Sequence, residues 1–121
     1  QVGEIVKAAE KIGGVSLVAM TLGEGDVASL RRWGDLLREK LDLGVALVCL
    51  AADAKPMLLI VASDRAIAEK KVKANELADR IAKSFSLRGG GKPHMAQMGL
   101  ARAEDFERVK AYVREVLEDL G

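Results

Sequence analysis

Two kinds of apolar pattern alternate along the chain: residues recurring at helical spacing, and short runs that are apolar throughout. Val2, Ile5, Val6, Ala9 and Ile12 share one helical face, so residues 2–12 are predicted as a helix ended by Gly13-Gly14. Val15 to Leu22 is apolar at nearly every position and reads as a strand covered on both faces. A helix over Asp26 to Leu41 places Val27, Leu30, Gly34, Leu37 and Leu41 on one stripe, with Trp33 and Leu36 beside it, and Gly44 is expected to close it. Trp33 reads as a core or interface residue rather than a stacking platform for a base.

Val45 to Ala52 and Pro56 to Ser63 are two further apolar runs joined by Asp53-Ala54-Lys55. So short a connection permits only an antiparallel hairpin, because parallel pairing needs a crossover. Ser63-Asp64 can cap a short turn of helix through Arg65 to Lys71, and a helix from Lys73 to Phe85 follows with Leu77, Ala78 and Ile81 inward. His94 to Gly99 is expected as an edge or last strand. Ala103 to Leu120 is expected as an amphipathic helix with an acidic outer face. The fold class is therefore α/β, α+β-like: a mixed sheet of about four to five strands with helices around it. Residues 1–13 are expected as a helical lead-in, with its helix the tail of a longer one, and 14–121 as the globular domain.

With 121 residues, 50% apolar and 31% charged, the chain suits one domain with a real core. Its apolar runs are far shorter than the ~20 residues of a spanning helix. The single cysteine, Cys49, lies in a predicted strand, which excludes a disulfide framework and suits a reducing, cytoplasmic setting. The chain opens with Gln1 and shows no basic-then-apolar leader, so it is expected to be part of something longer.

Net charge is only +1, yet its distribution is uneven. Residues 64–93 hold eight Lys/Arg against four Asp/Glu, while residues 1–63 and 101–121 are each slightly acidic. The excess leads into Arg88-Gly89-Gly90-Gly91-Lys92-Pro93-His94-Met95-Ala96-Gln97-Met98-Gly99. Three successive glycines can take positive φ and are expected as a loop that leaves backbone N–H groups uncovered. Arg88 and Lys92 bracket them with cations, Pro93 stiffens the exit, and His94 and Gln97 add polar side chains. Lys70, Lys71 and Lys73 crowd the entrance of the preceding helix. The alternatives are a plain turn for the glycines and a solvated face for the lysines.

Other chemistry finds no support. Gly23-Glu24-Gly25-Asp26-Val27-Ala28 matches G-x-G-x-x-A, but Glu24 would set a carboxylate beside a pyrophosphate and no acidic residue stands at the right distance. It reads as a turn with Asp26 as helix N-cap. One histidine and one cysteine supply neither a nucleophile–base pair nor a metal-ligand set. After Gly91-Lys92 a phosphate-binding P-loop needs Ser or Thr, and Pro93 stands there.

Lys73-Ala74-Asn75-Glu76-Leu77 leading into Gly89-Gly90-Gly91-Lys92-Pro93-His94-Met95-Ala96-Gln97 resembles the DHH-associated domain at the C-terminus of alanyl-tRNA synthetases. A related domain follows the catalytic domain of single-strand-specific phosphoesterases, whose members place histidine directly after the glycines. The synthetase pattern of Lys or Arg, then Pro, then Met-Ala-Gln is the one present. Two departures stand out: His94 where the family usually has an acidic residue, and Leu100 where it usually has a second glycine.

The resemblance implies a noncatalytic tRNA-binding module that contacts the outer corner of tRNA and helps aminoacylation and editing act on one bound molecule. It implies as partners tRNA, expected to be alanine tRNA, the remainder of the parent synthetase, and in some members a second copy. It implies no cofactor in these residues, the parent enzyme using ATP, magnesium and zinc. The expected RNA-binding residues are Lys70, Lys71, Lys73, Asn75, Arg88, Gly89, Gly90, Gly91, Lys92, Pro93, His94 and Gln97. A protein-interaction or dimerisation module using the first helix, Trp33 or a sheet edge is the alternative, as is the nucleic-acid-binding domain of a DHH-type phosphoesterase. A regulatory nucleotide site at Gly23 to Ala28 is a third.

Overall fold

The computed structural model describes residues 1–51 and 55–120. Its elements run α1 (Val2–Lys7), β1 (Glu10–Ile12), β2 (Val15–Leu22), α2 (Val27–Lys40), β3 (Gly44–Leu50), β4 (Met57–Ala62), α3 (Asp64–Lys70), α4 (Ala74–Phe85), β5 (Gly89–Lys92), β6 (Met95–Gly99) and α5 (Asp105–Glu118). Six strands form one mixed sheet in the order β1-β2-β3-β4-β6-β5, with β2 and β3 parallel and every other neighbouring pair antiparallel.

The α/β class expected from the sequence is the class observed, with more strands than the four to five predicted. The surplus comes from both edges. Residues 2–12 are not one helix: α1 stops at Lys7, and residues 10–12 turn back through Gly13 and Gly14, both at positive φ, to pair with Val15–Leu17. A two-residue loop with both residues at positive φ matches the right-handed twist of its strands, so the glycine pair makes a hairpin rather than a helix stop. At the other edge the glycine segment is itself a strand, β5.

The antiparallel pairing of β3 and β4 is as expected. Their expected connection through Asp53-Ala54 lies outside the described residues. Gly44 does not close α2, which ends with Leu41 in extended conformation; it opens β3, where an added Cβ would lie 2.8 Å from both Leu41 and the Ser16 carbonyl.

Because strand side chains alternate, β3 feeds two cores. Val45, Leu47 and Cys49 face α3, α4 and α5, whereas Ala46, Val48 and Leu50 face α2, with α1 packed alongside. Trp33 is half-buried against the second core, as expected of a packing residue. Ser63 Oγ accepts the N–H of Ala66, capping α3, and the N–H of Gly44, fixing where β3 starts. Asp26 caps α2 by accepting the N–H of Ser29 at 2.8 Å. The G-x-G-x-x-A turn thus spends a helix N-terminal amide on the chain's own carboxylate. No helix of the described residues is long and apolar enough to cross a membrane.

Candidate nucleic-acid interface

Glycine has no side chain to pack and a low strand propensity, so a strand reading Gly89-Gly90-Gly91-Lys92 needs a reason. The reason is the closeness of β6. A Cβ on Gly89 would run into the Met98 Cβ, and one on Gly91 would lie 2.5 Å from the Met95 carbonyl oxygen. On Gly90 it would meet nothing within 4 Å. The expected glycine loop is therefore corrected to a strand, and its glycines make no use of positive φ, which among the described glycines is found at Gly13, Gly14 and Gly25. What the three glycines provide is a bare extended backbone, exposed at all four positions of β5.

Half of that backbone remains available. The register pairs Gly89 with Met98, Gly90 with Gln97 and Gly91 with Ala96, and the Arg88 carbonyl accepts the N–H of Gly99. Bonded and non-bonded pairs alternate along an antiparallel ladder, so Gly90 bonds to β6 while Gly89 and Gly91 turn their N–H and C=O groups to the outer edge of the sheet. Among the described residues these groups make no backbone hydrogen bond outside the ladder. Arg88 and Lys92, at the two ends of the strand, are exposed and join no ion pair among the described residues.

The hairpin is anchored at its turn. Pro93 and His94 form the turn between β5 and β6; the Pro93 carbonyl accepts the first N–H of α4, from Ala74 at 2.7 Å, and the His94 carbonyl accepts from Ala62 at 3.0 Å. This brings Lys73, the N-cap residue of α4, and Asn75 in its first turn beside the hairpin. Asn75 Oδ1 and Gln97 Oε1 are buried with no hydrogen-bond partner among the described residues.

Lys73 Nζ stands 3.9 Å from Glu76, a loose and exposed pair that leaves its charge largely available. Lys71, in left-handed conformation, ends α3 and donates from Nζ to the Ala68 carbonyl. Lys70 departs from the group: its Nζ lies over the β1–β2 turn, 3.1 Å from the position a Gly14 Cβ would take. Between that turn and β6 lie three inter-strand steps, about 14 Å.

Periodicity did not reveal a wall of this site that comes from α2. Gly34 lies in the middle of that helix, and a Cβ there would stand 2.5 Å from Leu59 and 2.9 Å from the Met95 methyl. The missing side chain lets α2 lie close to β4 and β6. Its outward neighbours Arg31 and Asp35 then join Leu59, Gly90, Gly91, Lys92, His94, Met95, Ala96 and Gln97 around a cleft of about 260 Å³. The i, i+4 spacing of Arg31 and Asp35 puts them on one side of the helix, but nothing in the sequence says that this side looks at the hairpin.

Comparison with known proteins agrees with this architecture. The family model described as the DHHA1 domain matches residues 14–119. The alanine–tRNA ligase of Burkholderia thailandensis is 37% identical over 96% of this chain and 13% of its own length, and that of Burkholderia mallei is 42% identical over 79% of this chain and 11% of its own. The chain thus spans about an eighth of the length of these curated relatives. Among solved structures, the C-Ala domain of Aquifex aeolicus alanyl-tRNA synthetase superposes with a TM-score of 0.80 at 25% identity, covering 91% of this chain and 97% of that one. A pGpG-specific phosphodiesterase from Vibrio cholerae shares the fold alone, with a TM-score of 0.57 at 16% identity over 99% of this chain and 38% of its own. The chain belongs to the DHHA1 domain family.

Proposed function

We propose that this domain is the noncatalytic tRNA-holding module of an alanine–tRNA ligase. The observation that carries the reading is the exposed glycine strand, with two outward N–H groups and the exposed cations Arg88 and Lys92 at its ends. Backbone donors and cations so placed suit the sugar-phosphate of folded RNA, which positions a nucleic acid without reading its sequence. Lys73 extends the cationic surface at the anchored turn, and His94 and Asn75 add polar side chains at the same corner. The synthetase relatives and the structural likeness to a C-Ala domain support the assignment of the parent enzyme. Alanine tRNA, contact at its outer corner, the rest of the synthetase as neighbour, and coupling of aminoacylation to editing follow from that assignment. Lys92 stands where phosphoesterase members carry histidine, which favours this reading over a phosphoesterase partner domain.

The test is tRNA affinity of the 121-residue chain as a function of salt. Lys92→Ala is expected to weaken binding by on the order of 1 kcal/mol and to lower the slope of log K against log salt by about 1. Gly90→Val, whose side chain has room in the fold, is expected to weaken binding more by standing where the RNA approaches. Identical salt curves for wild type and Lys92→Ala overturn the reading.

A further inference from the structure

The cleft between α2 and the β5–β6 hairpin contains a feature that a phosphate site does not explain. Its rim carries Arg31, Lys92 and His94, but the wall from α2 also carries the Asp35 carboxylate, which joins no ion pair among the described residues. A carboxylate repels a phosphate and accepts hydrogen bonds only. A neutral group rich in donors suits that wall better than a phosphate does. At about 260 Å³ the cleft lies below the roughly 300–1,000 Å³ of sites for drug-sized molecules and suits one ring system.

On the opposite wall Gln97 offers a carboxamide whose buried Oε1 has no partner, so turning it toward a ligand breaks no hydrogen bond of that oxygen. Gly90, with no side chain and open space above it, leaves peptide backbone as a flat wall of the cleft. Arg31 supplies a planar cation of the kind that stacks on bases.

We infer that this cleft takes a single unstacked guanine of the bound RNA. Asp35 accepts from the ring N1–H and the exocyclic N2 amine, Gln97 donates to O6, Arg31 stacks on the ring, and Lys92 holds a flanking phosphate outside. Guanine presents two adjacent donors on its pairing edge, which match the two oxygens of a carboxylate; adenine, cytosine and uracil present one donor group each. This inference rests on the proposed RNA-binding function and adds a base preference to it.

The probes are fluorescein-labelled heptamers U3GU3, U3AU3, U3CU3 and U7, titrated with the 121-residue chain and with Asp35→Asn, alongside tRNA. Asp35 is exposed, so the substitution leaves the fold in place. U3GU3 is expected to bind about tenfold more tightly than the other three. Asp35→Asn is expected to bring U3GU3 within twofold of U7, with U7 unchanged or slightly strengthened. Equal affinities for all four heptamers, or a guanine preference that survives in Asp35→Asn, overturn the guanine site. A uniform gain by Asp35→Asn for every heptamer does so as well, because that is the behaviour of a phosphate site. Binding of tRNA that depends on Lys92 while the heptamers are not distinguished removes the guanine site and leaves the RNA-holding role standing; loss of Lys92 dependence removes that role itself.

Discussion

The N–H of Ala74, at the first turn of α4, donates to the carbonyl of Pro93 at 2.7 Å, so the helix after the lysine cluster holds the turn of the glycine hairpin. Ala74 is fully buried, and the residue before it, Lys73, has φ −119° and ψ 136°. That is the conformation a following proline requires.

Ala74→Pro removes this donor at a helix position that accepts proline. It is expected to destabilise the domain by about 0.5–1.5 kcal/mol, the net worth of one lost backbone hydrogen bond. Amide hydrogen exchange is the check, with protection in β5 and β6 falling more than in β3. Equal loss across the sheet would show that the turn is not held locally.

The three strand glycines are predicted to differ sharply. Gly91→Ala places a Cβ 2.5 Å from the Met95 carbonyl oxygen and 2.7 Å from the Ala96 Cα, with backbone that has little room to yield, and is expected to cost about 1–3 kcal/mol. Gly89→Ala is expected to behave alike. Gly90→Ala meets nothing and is expected to be neutral or to stabilise by about 0.5–1 kcal/mol through a less flexible unfolded chain. Denaturant midpoints of the three variants give the ranking directly.

Stability toward acid is expected to involve two exposed carboxylates. The N–H and then the hydroxyl of Ser29 hold Asp26 below the usual carboxylate range, and Arg114, through hydrogen bonds of 2.8–3.2 Å, does the same for Glu10 and so ties α5 to β1. A folded-state pKa below the unfolded one means a contribution complete above about pH 5 and lost as pH falls through the folded values. The double variant Asp26→Asn, Glu10→Gln is expected to start with a lower midpoint at neutral pH and to lose less between pH 5 and the acid limit. Parallel pH curves for the two proteins would remove both residues from the acid response.

Cys49, 1% exposed near the C-terminal end of the buried strand β3 and with its thiol pushed up by burial, is predicted to resist alkylation in the native chain. Iodoacetamide labelling across a urea series is expected to follow global unfolding. Labelling that precedes loss of the far-UV signal would mean that β3 opens on its own.

Local pattern settled the elements whose partners lie close in sequence or whose burial shows as periodicity. The antiparallel β3–β4 pair follows from the short distance between two apolar runs, α2 and α4 from their stripes, and the caps Asp26 and Ser63 from side chains that accept N–H groups three residues on. The cation-bracketed glycines were legible as the place where backbone is bare. Tertiary structure decided what that backbone does: β6 comes so close that Gly89 and Gly91 admit no side chain, and a presumed loop becomes an edge strand. It also turned residues 10–12 from helix to strand, because β2 offered an edge that a three-residue segment after a tight turn could satisfy. It drew Lys70 to the far hairpin and brought Arg31 and Asp35 to the glycines through the missing side chain of Gly34. Periodicity reports which face of an element is buried; which two buried faces meet, and what their exposed neighbours then enclose, is fixed only when the elements pack.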